Sequence, residues 1–154
     1  MKKTMLGLLA LGAVSTAAAD SIGGHIGTTT GLHYQTDLTA NSAVRYGLNL
    51  STTGLFAGAF RVGGEVAYLQ NISGQSFGGL EPYYGFGLGA GAAVGSVVGV
   101  SAYPHVLGGL RYNVAQPFSV FVEGNVGPTI GVSTGGSGFG FGAGVRLGLN
   151  YNLR

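Results

Sequence analysis

Between Ser21 and Leu153 the apolar and aromatic residues of each segment fall on every second position, and glycine, polar and charged residues fill the positions between them. That period belongs to a β-strand with two unlike faces. The content of the faces constrains the fold further. The apolar face is richer and more continuous than a soluble sheet turns to water, while the other face holds nearly all of the charge and much of the glycine. A sheet closed on itself, with lipid outside and a packed polar interior, requires this distribution.

Seven segments are readable, at about 21–34, 43–51, 55–69, 80–94, 98–112, 118–133 and 139–153. Turn-forming runs separate them: Asp37 to Ser42, Ser51 to Gly54, Asn71 to Gly79, Gly95 to Gly99, Asn113 to Pro117, and Thr134 to Gly138. Most segments reach the ~9–11 residues with which a tilted strand crosses a bilayer. In the third, Phe56, Phe60, Val62, Val66 and Tyr68 share one face, and Ala57, Ala59, Arg61, Gly63 and Glu65 the other. In the last, Phe139, Phe141, Ala143, Val145, Leu147, Leu149, Tyr151 and Leu153 oppose Gly140, Gly142, Gly144, Arg146, Gly148, Asn150 and Asn152. Pro104 falls inside a segment, where it removes a ladder hydrogen bond, so a bulge or local break is expected there.

Seven charges lie within the segments: Arg45, Arg61, Glu65, Glu81, Arg111, Glu123 and Arg146. All are on the face opposite the apolar one, as expected where a lipid-facing charge costs roughly 2–4 kcal/mol at mid-bilayer. Turned inward, the arginines can pair with the glutamates across strands and plug the lumen. Arg61 and Glu65 share a face but are too far apart along one strand for simple direct contact. Aromatic residues stand near segment ends on the apolar face: Tyr34, Tyr46, Tyr68, Tyr84, Tyr112, Phe118, Phe139 and Tyr151. That placement suits two interfacial girdles. The 32 glycines, many of them alternating within strands, leave room for large inward residues such as Tyr83, Tyr103 and Phe121.

Composition agrees. Charged residues form 8% of the 154, against roughly 25% in ordinary soluble domains. After the first residues no stretch has the ~20 consecutive apolar positions of a membrane helix. The beginning reads separately: Met1-Lys2-Lys3 is positive, Met5 to Val14 is apolar, and Ala17-Ala18-Ala19 supplies small residues for cleavage. Residues 1–19 are therefore expected to be a secretory signal peptide, removed near Asp20, with one domain over 20–154. Both lysines lie in that signal. The remainder has five arginines (45, 61, 111, 146 and 154) against Asp20, Asp37, Glu65, Glu81 and Glu123, so no basic surface for nucleic acid is expected. There is no cysteine, so a closed hydrogen-bond ladder has to hold the sheet instead.

No catalytic or cofactor constellation emerges. Gly85, Gly87 and Gly89 have the spacing of a phosphate loop, but alternation continues past them with no helix to hold a phosphate. His25, His33 and His105 fall on the inward parity. On one continuous strand His25 and His33 would stand too far apart to share an ion, at ~3.3 Å per residue. No metal is expected. Asp20 and Asp37 lie at no plausible triad spacing from a histidine and a serine, so enzyme activity is not expected.

Three stretches carry a resemblance. Gly109-Leu110-Arg111-Tyr112-Asn113, a short turn, and Phe118-Ser119-Val120-Phe121-Val122-Glu123 form one hairpin. Glu81-Pro82-Tyr83-Tyr84-Gly85-Phe86-Gly87-Leu88-Gly89 opens a strand. Arg146-Leu147-Gly148-Leu149-Asn150-Tyr151-Asn152-Leu153 ends the chain before Arg154. Over 20–154 the sequence resembles the small outer-membrane β-barrels of Gram-negative-type bacteria, the group that includes the OmpA transmembrane domain and OmpX. The resemblance implies an all-β, closed antiparallel up-and-down transmembrane barrel of about eight strands with both termini in the periplasm. It implies insertion by the barrel-assembly machinery, with Arg146, Gly148, Tyr151 and Leu153 as the assembly signal. Two features depart from it: that family usually ends on an aromatic residue, and only seven strands are readable. Either an irregular strand lies within Ser21–Gly31, or a long segment folds back at Gly63-Gly64.

The expected function is that of a small barrel of the bacterial outer membrane with a side-chain-filled lumen and a structural role in the envelope. Its partners would be outer-membrane lipids. A narrow, porin-like channel for small solutes is the alternative, and an enzyme acting at the barrel rim is a more distant one. No turn exceeds about ten residues, short by comparison with loops that bind and catalyse, which disfavours adhesin and receptor roles.

Overall fold

A computed structural model describes residues 20–51, 59–74, 76–95 and 98–153. Residues 1–19, where a signal peptide is expected, and Phe56, Ala57 and Arg154 lie outside the described residues. The described residues fold into eight strands: β1 (Asp20–Gly27), β2 (Thr30–Thr39), β3 (Ser42–Ser51), β4 (Ala59–Asn71), β5 (Leu80–Gly95), β6 (Gly99–Ala115), β7 (Phe118–Ser133) and β8 (Gly136–Leu153). Each pairs antiparallel with the next, and β8 returns to pair with β1, so the sheet is a closed barrel without edges. Closure satisfies the backbone internally, which the strand count of seven could not have done with both termini at one end.

The eighth strand comes from the first readable segment, which is a hairpin. β1 and β2 are joined at Thr28-Thr29, with His25 opposite Gly31 and Asp20 opposite Thr36. Odd-numbered residues therefore face inward on both strands, and alternation runs through the reversal without a change of phase. No proline, asparagine or aspartate marks it. Gly27 enters the turn with φ +154°, and a Cβ there would collide with the Val145 carbonyl. No fold-back occurs at Gly63-Gly64, where β4 pairs continuously with β3 and β5.

Other boundaries move outward. β2 continues to Thr39, through the expected turn at Asp37, with a register shift between Asp37 and Thr39. β6 continues to Ala115, and β8 starts at Gly136. Parity changes once, between β7 and β8, where Glu123 stands opposite Arg146 and inward residues become even-numbered.

Pro104 produces a break without a bulge. Pairing of β6 with β7 stops at Ala102–Ile130 and resumes at Val106–Val126 in the same register. That register sets Pro104 opposite Pro128. Loss of three consecutive pairs is what results when a mutually hydrogen-bonded pair has no N–H on either side. On its other edge Pro104 stays paired with Leu88 of β5.

Burial is inverted relative to a soluble domain. The buried residues among those described include twelve polar or charged side chains, with Arg45, Glu123 and Arg146 among them, and six hydrophobic ones: Ala43, Ala67, Leu69, Tyr83, Leu107 and Phe121. Outside, Leu32 and Leu48 are each 71% exposed and Phe141 76%. Water does not stably face so continuous an apolar surface, but acyl chains do.

Candidate functional site

Asp20 at the start of β1, Leu153 at the end of β8 and the turns at Ala40-Asn41 and Gln116-Pro117 lie at one end of the barrel, called proximal here; Thr28-Thr29 and Thr134-Gly135 lie at the distal end. The inward residues at mid-height form the site. Alternation alone delivers them: Arg45 from β3, Glu65 from β4, Glu123 from β7 and Arg146 from β8.

Glu123 is the hub, only 1% exposed. Arg45 Nη2 donates to its two carboxylate oxygens at 2.9 and 2.7 Å, and Tyr83 Oη donates to Oε2 at 3.0 Å. Arg146 Nε donates to Glu123 Oε1 at 2.6 Å, and its Nη2 lies against the same oxygen. Arg146 also reaches Glu65, with Nη2 donating to Oε1 at 2.8 Å and Nη1 to Oε2 at 3.2 Å. Arg45 Nη2 is 3.9 Å from Glu65 Oε1, and Asn49 Nδ2 donates to Glu65 Oε2 at 3.4 Å. Two arginines and two glutamates thus form a neutral tetrad spanning the lumen, with Arg45, Glu123 and Arg146 buried and Glu65 partly open to the distal side. Charges so placed need complete pairing, because each alone would carry a large desolvation cost.

The other three inward charges stand apart. Arg111 pairs with Glu81 at 3.0 Å near the proximal end, where Asn71 and Asn113 bind the same pair at 3.2 and 3.1 Å. Arg61 lies near the distal end, is exposed, and makes no ion pair among the described residues. Its stem passes over Gly91, whose added Cβ would sit 3.8 Å from Arg61 Cγ.

Glycine opposite bulk fills the space around the tetrad. A Cβ on Gly109 would lie 2.6 Å from Tyr83 Cζ, and one on Gly148 would collide with Phe121. Phe121 in turn lies beneath the Arg45 guanidinium, 5.6 Å from centroid to Cζ, close enough for a cation–π contact. Above the tetrad, the single Tyr103 O–H is shared between Asn125 Oδ1 at 2.9 Å and the Gly142 carbonyl oxygen at 3.1 Å. The tetrad therefore divides the interior. On the proximal side lies a void of about 10 Å³ between Gln35, Leu69, Tyr83 and Phe121. On the distal side lies a cup of about 260 Å³ with Glu65 and Arg146 in its lining.

The histidine expectation is corrected. Because the chain reverses at Thr28-Thr29, His25 and His33 are on neighbouring strands, and their rings stack with centroids 5.8 Å apart. His33 Nε2 donates to Asn150 Oδ1 at 2.6 Å, and His105 Nδ1 to the Tyr103 carbonyl at 3.0 Å. Among the described residues no three His, Asp or Glu side chains are grouped to hold a metal ion. Tyr83, Asn49, Asn125 and Asn150 belong to the polar interior and were not singled out as its hydrogen-bonding members by periodicity. Their inward parity was the available signal.

The aromatic set is unevenly divided. Tyr34, Tyr46, Tyr68, Tyr84, Tyr112, Phe118 and Tyr151 all lie toward the proximal end on the outer face. Tyr34 is opposite Tyr46, and Phe118 opposite Tyr151. Of the eight named from the sequence, Phe139 alone is distal, in an edge contact with Phe141. At the C-terminus, Arg146 and Gly148 point inward, while Tyr151 and Leu153 lie outside on the strand that closes the barrel against Ile22 and Asp20.

No protein-family model matches this sequence, and no curated protein sequence matches it. Solved structures do. The N-terminal β-barrel domain of Pseudomonas aeruginosa OprF superposes with a TM-score of 0.63 at 12% identity, over 88% of this chain and 96% of that one. Neisserial surface protein A gives 0.56 at 14% identity, over 88% and 95%. A major outer membrane protein of Thermus thermophilus gives 0.51 at 15% identity, over 89% and 100%. At such identities the likeness is one of architecture. The chain has the closed eight-stranded fold of the OmpA-type outer-membrane β-barrels.

Proposed function

We propose that this chain is a small integral barrel of the bacterial outer membrane that serves envelope structure and does not conduct solutes. The observation that carries this reading is the tetrad of Arg45, Glu65, Glu123 and Arg146 spanning the lumen, with a void of only about 10 Å³ between Gln35, Leu69, Tyr83 and Phe121 below it. A solute crossing the lumen would have to part charge pairs in a site of low polarisability. The outward apolar band and the barrel architecture support membrane residence. Residues 1–19 would direct export. The run Arg146, Gly148, Tyr151 and Leu153 would be read by the assembly machinery, with the distal end facing outward.

Purified protein in planar bilayers tests the closed lumen. The expected result is no steady conductance of nanosiemens size. Steady single-channel steps of that size from the monomer would overturn it and favour a narrow pore.

A further inference from the structure

The distal cup is not explained by a plug. Its lining includes Ser51, Arg61, Ser101, Tyr103, Asn125 and Thr129, and glycines such as Gly63, Gly89, Gly91 and Gly142 form much of its wall. It continues into a wider rim recess of about 510 Å³ that shares Arg61, Ser101 and Thr129. At 260 Å³ the cup is just below the range of drug-sized sites.

Charge in this space is uncompensated. Arg146 at the floor is matched by Glu65 and Glu123, and Arg45 beneath by the same two carboxylates. Arg61 adds one positive charge with no carboxylate partner among the described residues. Every other inward arginine of the described strands has such a partner. A planar guanidinium that lines a recess and has no carboxylate partner among the described residues is suited to bind a carboxylate in fork geometry. Hydroxyls of Ser101 and Thr129 and the amide of Asn125 ring the same space and can exchange hydrogen bonds with hydroxyl groups.

We infer that the distal cup is a binding site for a small, hydroxyl-bearing monocarboxylate of sugar-acid type, with the carboxylate on Arg61 and the hydroxyls against the Ser101, Thr129 and Asn125 side. Binding requires no passage through the tetrad, so the site is independent of whether the lumen conducts.

The test is titration calorimetry of the folded protein in zwitterionic micelles at low ionic strength. The probes are gluconate, sorbitol (hydroxyls without the charge) and hexanoate (charge without the hydroxyls). Gluconate should bind saturably, with sorbitol and hexanoate each about tenfold weaker or worse, as expected on losing hydrogen bonds to a charged group. Arg61→Gln should weaken gluconate by about tenfold or more, while Arg61→Lys retains part of the affinity. Both variants are first checked for the mobility difference between boiled and unboiled samples. Should Arg61→Gln not fold, the test rests on Arg61→Lys and the three probes. Equal gluconate affinity in a folded Arg61→Gln, sorbitol or hexanoate matching gluconate, or no saturation up to tens of millimolar would each overturn the assignment.

Discussion

Glu123 on β7 and Arg146 on β8 are register partners whose side chains meet inside the barrel, Arg146 Nε donating to Glu123 Oε1 at 2.6 Å. Arg45, from β3 on the facing wall, reaches the same carboxylate at 2.7 Å. One glutamate thus ties strands that are distant around the ring, and its loss leaves two guanidiniums with Glu65 alone. Glu123→Ala should lower stability by about 3–5 kcal/mol, the usual result of stripping one partner from a buried ionic group. Denaturant unfolding in lipid vesicles measures it. A loss below about 1 kcal/mol would mean that water enters and solvates the arginines.

Gly148 makes room for Phe121. A Cβ at 148 would collide with the ring and lie 2.8 Å from the Gly24 carbonyl oxygen. Gly148→Ala should therefore cost about 1–3 kcal/mol, as overpacking does. Adding Phe121→Leu should recover part of that loss, giving a coupling above roughly 0.5 kcal/mol in a double-mutant cycle. Strict additivity would show that the ring is not what Gly148 accommodates. The same pair separates packing from assembly: a role of Gly148 in insertion would reduce yield in cells without such coupling.

The opposed prolines leave the β6–β7 ladder interrupted over three pairs. Pro104→Val restores one donor at a pair site that lacks both. Hydrogen exchange should then show a protected amide at position 104, with stability unchanged or raised by up to about 1.5 kcal/mol. A fast-exchanging amide there would place Pro104 at a non-hydrogen-bonded site instead.

Face and architecture were readable because lipid outside and ions inside impose opposite chemistry on successive residues. The switch of parity into β8 was visible for the same reason, since Arg146 moves to an even position where Glu123 held an odd one. The Thr28-Thr29 reversal was hidden because partners such as His25 and Gly31 keep one parity through the turn, and threonine is a strand former as well as a turn residue. That concealment also misplaced His25 relative to His33. Which arginine meets which glutamate depends on register around the whole ring. Periodicity along single strands does not contain it, so Arg61 could not be told from Arg45 before the strands were placed.

Tryptophan is absent from the chain, so a single introduced residue reports its own surroundings. The most direct test places it in turn at Phe141, Val145 and Leu147, which are exposed on the outer face, and at Gly138 and Gly140 on the inner parity, where an added Cβ meets nothing within 4 Å. In vesicles, brominated acyl chains should quench F141W, V145W and L147W strongly and G138W and G140W weakly. Aqueous acrylamide should do the reverse. Quenching that fails to alternate along β8, or acrylamide reaching the three outer positions best, would contradict a closed sheet with acyl chains outside and ions within.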